Sequence, residues 1–225
     1  MDVIYLAAGQ GTRARLGYPK QFARIGGKPL LVHGLEMLER LPEITRVLVA
    51  CCDISSTQRI LEAYDLQKIV CVRGGNTRQE SVRLALEHVR SDYVLIHEAV
   101  RPFVSDDFIR GIIAVQSDCV VPFKHAVSTA ITRSGCCLDR RAVGEVQMPQ
   151  KYKTELLRDA HALAAKSEHA RFAEGLATDD ADLVYHVLGV VPDVCDGLEA
   201  NIKITTPLDL VVAEAIYHAN SNNGE

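Results

Sequence analysis

Short apolar, β-branched runs alternate along the first half of this chain with amphipathic stretches of helical period, and few folds accept that pattern. The runs are Val3–Ala7, Arg46–Cys51, Ile69–Arg73, Tyr93–His97 and Cys119–Phe123, and the helical stretches are Pro29–Leu41, Thr57–Tyr64, Arg78–Val89 and Asp106–Val115. A continuously apolar strand must be covered on both faces, which a parallel sheet achieves with its crossover helices. The alternation therefore predicts an α/β fold: a doubly wound, mostly parallel sheet that binds ligands outside the carboxyl ends of its strands. Ser56 and Ser105 stand where two of the helices should be N-capped.

The alternation fails over residues 128–148. Thr129–Thr132 and Leu138–Gln147 flank Arg133-Ser134-Gly135, a hairpin signal in a stretch too polar for a core. It reads as a projecting β-arm of the kind exchanged between subunits, with an ordinary surface hairpin as the alternative. Helices are then expected near Lys153–Lys166 and Asp179–Leu188, and strands at Val190–Val194 and Ile202–Ile204. Thr206-Pro207 opens a last helix as N-cap and first-turn proline, and Asn220–Glu225 should fray. No repeat or linker interrupts residues 1–225, so a single domain is expected.

Composition narrows the function. Hydrophobic residues make up 48% of the 225, enough for a sizeable core, and the absence of Trp leaves aliphatic side chains to fill it. A net charge of −4 disfavours a nucleic-acid polymer as partner but leaves room for a small anion at a local cationic cluster. The seven cysteines form no Cys-x-x-Cys and include two adjacent pairs, which suits neither a disulfide framework nor zinc and points to reduced thiols in a cytoplasmic protein. No run is long enough to span a membrane, and the start of the chain does not read as a signal peptide.

Four constellations carry chemistry. The first strand empties into Ala7-Ala8-Gly9-Gln10-Gly11-Thr12-Arg13, with Pro19-Lys20-Gln21 close behind. Glycines let backbone N–H groups approach an anion, and Arg13 and Lys20 add full charge, so the pair suits a triphosphate. Gly9-x-Gly11-x-x-Ala14 also satisfies the dinucleotide fingerprint. Against a nicotinamide site, Gly17-Tyr18-Pro19 breaks the helix that should follow, and the first candidate ribose acid, Asp53, comes too late. Gly74-Gly75-Asn76-Thr77 ends the third strand, where Asn76 and Ser81 offer hydrogen bonds for a base edge, or simply a turn and an N-cap. His97-Glu98-Ala99-Val100-Arg101-Pro102 places charges at the end of a buried strand, where Glu98 could hold a metal or a hydroxyl and Arg101 a phosphate, or the two could pair. Finally, Lys203 lies within the apolar Ile202–Ile204, a candidate for charge stabilisation, while Thr178-Asp179-Asp180 offers a hydroxyl and carboxylates or a helix cap.

In this order and spacing, these stretches resemble the 2-C-methyl-D-erythritol 4-phosphate cytidylyltransferases and their ribitol 5-phosphate relatives. The matches extend to Gly74-Gly75-x-x-Arg78-Gln79-x-Ser81-Val82, Pro149-Gln150 and Asn201-Ile202-Lys203-Ile204-Thr205-Thr206-Pro207-x-Asp209-Leu210, so they cover essentially the whole chain. The resemblance implies a Rossmann-like nucleotidyltransferase fold and transfer of CMP from CTP to a polyol phosphate, with Mg2+ and release of pyrophosphate. It implies a homodimer in which the arm completes the neighbouring site. By position, Arg13, Lys20 and Lys203 would be catalytic; Ala7, Ala8, Gly9, Gly11, Gly75, Asn76, Ser81 and Ala99 would hold the nucleotide. Glu98, Arg101 and Thr178, with Thr129 and Arg140 from the partner's arm, would hold the acceptor, and Glu98 is the candidate metal ligand. The family usually carries Asp at Glu98, Asp-Thr at Ser128-Thr129 and Thr at Met148, all expected on the acceptor side. Methylerythritol phosphate is the favoured acceptor, ribitol phosphate the runner-up, and a nucleotide-binding protein without turnover the alternative of another class.

Overall fold

The computed structural model describes residues 1–9, 17–168 and 170–223. Its strands are β1 (Asp2–Leu6), β2 (Arg24–Ile25), β3 (Lys28–Pro29), β4 (Arg46–Cys51), β5 (Ile69–Arg73), β6 (Tyr93–Glu98), β7 (Cys119–His125), β8 (Ala130–Ile131), β9 (Cys137–Leu138), β10 (Gly144–Val146), β11 (Gln150–Lys153) and β12 (Asp193–Asp196). Its helices are α1 (Leu30–Arg40), α2 (Ile54–Leu61), α3 (Arg78–Leu86), α4 (Asp106–Ala114), α5 (Thr154–Ala164), α6 (Ala170–Ala173), α7 (Asp180–Leu188) and α8 (Pro207–Asn223), with a 3-10 turn at Lys20–Phe22.

One eight-stranded sheet organises the chain. Its order runs β10-β7-β11-β6-β1-β4-β5, with β12 on the other side of β7. β1 pairs in parallel with β4 on one side and β6 on the other, so strand order reverses at β1. Such a reversal opens a crevice at the carboxyl ends of the two diverging strands. β1 is buried because both faces are covered. Val3 and Tyr5 pack with α1 residues such as Leu35 and Leu38 in one cluster, while Ile4 packs with Val82 of α3 and Leu157 of α5 in the other.

The first half of the alternation folds as expected, with β6 and β7 running slightly further than read. Ser105 caps α4 by accepting the Phe108 N–H at 3.2 Å. Ser105→Ala should therefore cost about 1 kcal/mol in urea unfolding. α2 begins three residues earlier than expected because Asp53, not Ser56, is its cap: Asp53 Oδ1 accepts the Ser56 N–H at 3.0 Å.

The second half needs correction. Leu138–Gln147 is not a single arm strand. β8 and β9 form a small exposed hairpin, but β10 returns to pair antiparallel with β7. Gln147 and Met148 are buried, and Gln147 accepts the Leu198 N–H at 2.9 Å. β11, for which no strand was expected, wedges antiparallel between β6 and β7 just ahead of the helix expected near Lys153–Lys166. β12 starts at Asp193 rather than Val190 because Pro192 cannot donate to a ladder. Ile202–Ile204 is not a strand; it crosses the open end of the sheet, where Ile204 N donates to Val100 O at 2.9 Å and its side chain packs beneath α8. α8 continues to Asn223, past the expected fraying point.

Candidate active site

A cavity of about 680 Å3 lies at the carboxyl ends of β1 and β6, where strand order reverses. Leu6, Ala7, Ala8 and Gly9 form one wall. The chain is next described at Gly17, so Gly11 and Arg13 lie outside the described residues. Lys20 returns to the cavity on the 3-10 turn, where its Nζ donates to Ile204 O at 2.8 Å. Beside it, Gln21 pins the first wall by donating to Ala7 O at 2.7 Å.

The opposite wall comes from the turn between β5 and α3. Thr77 caps α3 by accepting the Glu80 N–H at 3.0 Å, and Ser81 Oγ accepts the Gly75 N–H at the same distance. Gly75 has no room for a side chain, since a Cβ there would overlap Glu80. Asn76 is exposed and borders the cavity, with its backbone N–H bound to Glu80 Oε2 at 2.6 Å.

Glu98 closes the floor. Strand alternation turns it to the cavity and its neighbour His97 to the opposite face, where burial pushes the imidazole down to about 4 and keeps it neutral. Three cations surround Glu98: Lys203 Nζ donates to Oε1 at 2.8 Å, Arg101 Nε donates to Oε2 at 3.3 Å, and Arg78 Nε lies 3.8 Å from Oε1. Burial alone would raise this carboxyl; Lys203, Arg78 and Arg101 overcome it and hold the group at about 2. Arg78 continues inward to Asp180, 2.8 Å from Oδ2, and Asp180 also meets His161 Nε2 at 3.3 Å. Asp180 is 1% exposed; burial opposes its ionisation, but Arg78 and His161 hold it at about 2 as well.

This chain of charges makes stability sensitive to acid. Both carboxyls lie below their ordinary values of 4.5 and 3.8, so their contribution is complete above those values and is lost as pH falls toward about 2. The urea midpoint should hold down to about pH 5 and then fall steeply toward pH 2. Glu98→Gln should shallow that fall.

Of the residues expected from sequence, Ala7, Ala8, Gly9, Lys20, Gly75, Asn76, Ser81, Glu98, Thr178 and Lys203 border the same cavity. Arg101 stands behind Glu98, tied to Asn201 O at 2.8 Å, and Ala99 is buried with its N–H on Leu6 O. Neither borders the cavity within one chain. Thr129 and Arg140 are exposed on the hairpin, away from this cavity. Met148, expected on the acceptor side, instead packs in the core with Tyr152 and Leu157. Glu98 does not fit the role of metal ligand: both its oxygens face cations, which repel a further cation, and the described residues hold no group of three or more His, Cys, Asp or Glu able to bind one. Arg78 was missed as a site residue because its two carboxylate partners are remote in sequence, although it stands in the Gly-Gly motif itself.

The family model of 2-C-methyl-D-erythritol 4-phosphate cytidylyltransferase (IspD) matches residues 1–219. The chain is similar to the 2-C-methyl-D-erythritol 4-phosphate cytidylyltransferases of Geobacillus thermodenitrificans, at 37% identity, and Geobacillus kaustophilus, at 35%, over 96% of each partner in both cases. Among solved structures, that of the Thermus thermophilus enzyme of the same name aligns with a TM-score of 0.76 and 33% identity, covering 96% of this chain and 98% of its own. The 4-diphosphocytidyl-2C-methyl-D-erythritol synthase of Anaerococcus prevotii aligns with a TM-score of 0.82 and 27% identity, over 96% and 95%. With a cavity at the switch point of a matching fold and a family match over nearly its full length, the chain belongs to the 2-C-methyl-D-erythritol 4-phosphate cytidylyltransferase family.

Proposed function

We propose that the cavity binds CTP together with 2-C-methyl-D-erythritol 4-phosphate and joins them into a CDP-linked polyol. A phosphate oxygen of the acceptor attacks the α-phosphorus of CTP. The bond from that phosphorus to the bridging β-oxygen breaks, and pyrophosphate leaves with the electron pair. No covalent enzyme intermediate is needed, so the protein's task is positioning and charge stabilisation. The observation that carries this reading is the convergence of Lys203, Arg101 and Arg78 on the single carboxylate of Glu98, with Lys20 at the same cavity.

In this reading Arg13 and Lys20 neutralise the departing pyrophosphate, and Lys203 meets the charge that builds on the α-phosphate. Ala7, Ala8, Gly9, Gly11, Gly75, Asn76 and Ser81 hold cytosine and ribose, with Ala99 supporting the wall from behind. An ionised carboxylate only accepts hydrogen bonds, so Glu98 selects a hydroxyl donor of the acceptor, next to Thr178, while Arg101 holds Glu98 in place. Mg2+ would arrive with CTP as its metal–nucleotide complex and would supply charge neutralisation to the triphosphate. A second copy of the chain supplies Thr129 and Arg140 from its hairpin to complete the acceptor side. The seven free cysteines accord with a cytoplasmic setting, and no helix among the described residues is long and apolar enough to cross a membrane.

The test is pyrophosphate release from CTP with a panel of acceptors: methylerythritol phosphate, ribitol 5-phosphate, erythritol 4-phosphate and glycerol 3-phosphate. The expected outcome is turnover with methylerythritol phosphate at the highest kcat/KM. Greater turnover with ribitol 5-phosphate would move the acceptor, and calorimetric CTP binding without turnover on any member would reduce the protein to a nucleotide binder.

A further inference from the structure

Gln79, the second residue of α3, is 6% exposed, and both ends of its amide are consumed by the backbone of one distant segment. Its Nε2 donates to Phe172 O at 2.9 Å, and its Oε1 accepts the Ala177 N–H at 3.0 Å. The chain between those two points is a tight turn. Gly175 stands in the left-handed region at φ +75°, with its N–H on Phe172 O at 3.1 Å and that of Leu176 on Arg171 O at 2.6 Å, the Schellman closure of a short helix. A Cβ at Gly175 would lie 3.1 Å from Thr77 Oγ1, so the N-cap of α3 packs into the same turn.

Thr178 follows directly and borders the cavity, with its N–H and hydroxyl both donating to Asp182 Oδ2 at 3.0 Å. Two residues later Asp180 meets Arg78. Three consecutive residues at the start of α3, Thr77, Arg78 and Gln79, therefore fasten the strap that carries Thr178. The same helix start forms the opposite wall through Gly75 and Ser81.

We propose that Gln79 is a positioning residue for the acceptor: a neutral clasp that fixes the distance between the Thr178 wall and the rest of the cavity. The inference rests on the reading of Thr178 as an acceptor contact. An amide suits the place because it supplies one donor and one acceptor without charge, matching one carbonyl and one N–H. Gln79→Met keeps the volume but deprives the buried Ala177 N–H of its acceptor and Phe172 O of one donor, a cost that loosens the strap rather than the β1 wall.

The test compares Gln79→Met in the parent protein and in a Thr178→Val background. In the parent, KM for methylerythritol phosphate should rise about tenfold with KM for CTP within about twofold, as misplacement of one wall predicts. In the Thr178→Val background that rise should vanish, because the clasp acts through Thr178. Amide hydrogen exchange gives a readout that needs no turnover: Ala177 and Thr178 should exchange at least about tenfold faster, with β1 and β6 unchanged. An equal rise in both backgrounds, a parallel rise in KM for CTP, or unchanged exchange at Ala177 and Thr178 would overturn the proposal. Failure of the proposed reaction would show separately, as no pyrophosphate release by the unsubstituted protein, and exchange alone would then decide the clasp.

Discussion

Lys203→Ala should lower kcat by about 10²- to 10³-fold while leaving KM for CTP within a few-fold, the pattern of a contact made chiefly in the transition state. Of the three cations around Glu98, Lys203 is the most exposed, its side chain at 38% against 19% for Arg78 and 11% for Arg101. Arg101 is tied to Asn201 O, and the Arg78 guanidinium lies between two carboxylates. Lys203 rises from a loop at the open end of the sheet onto the cavity, which Arg78 also borders, and Glu98 holds its ammonium ready at 2.8 Å. As negative charge grows on the α-phosphate, this ammonium can shift its hydrogen bond from Glu98 to the phosphoryl oxygen without crossing the site. Steady-state pyrophosphate release by the variant, with its melting curve as a control, measures the effect. A kcat near that of the parent would remove Lys203 from the mechanism.

The largest stability effect is expected at Arg78. Arg78→Met should cost about 3–5 kcal/mol, because it strands a buried carboxylate rather than merely deleting a contact. Asp180 is 1% exposed, and Arg78 is its main compensation; the His161 Nε2 contact at 3.3 Å would remain. Glu98 would lose less, since Lys203 and Arg101 remain. The two losses can be separated. Adding Asp180→Asn to Arg78→Met should recover a substantial part of the stability, whereas adding Glu98→Gln should recover little. Urea unfolding of the single and double variants provides the measurement, and an Arg78→Met protein as stable as its parent would contradict the buried charge relay.

Much of the fold was legible because β1, β4 and β6 are parallel strands buried along nearly their whole length, with long apolar runs, and the edge strand β5 carries a similar run although it is half-exposed. β11 was not legible: Gln150, Lys151 and Lys153 give it no apolar run, yet Gln150 and Lys151 are buried. Lys151 is satisfied at depth by the carbonyls of Ile113 and Val115, and Gln150 by Asp179, partners that no local pattern announces. Ile202–Ile204 misled in the opposite direction. Its buried side chain, Ile204, serves a small cluster beneath α8, not a sheet, and apolar alternation does not separate those two cases.

The site divides along the same physical line. Ala7–Gly9, Gly75, Ser81 and Glu98 could be placed because each follows or ends a strand whose carboxyl end must face the crevice. What sequence could not supply was the pairing. Glu98 reads as a candidate metal ligand until its three cationic neighbours are seen, and Met148 is expected on the acceptor side until it is found in the core. Gln79 lies inside a matched motif, but its function depends on two backbone groups of the α6 turn nearly a hundred residues away.

Direct displacement at the α-phosphorus of CTP by methylerythritol phosphate makes a specific demand on the phosphorus balance. Phosphorus NMR of the protein incubated with Mg2+, CTP and methylerythritol phosphate tests it most directly. The prediction is loss of the triphosphate and acceptor signals with one-for-one appearance of pyrophosphate and a new diphosphate diester, slowed about 10²- to 10³-fold in Lys203→Ala. Persistence of both substrates, or conversion of CTP to CMP with the acceptor phosphate unchanged, would contradict it.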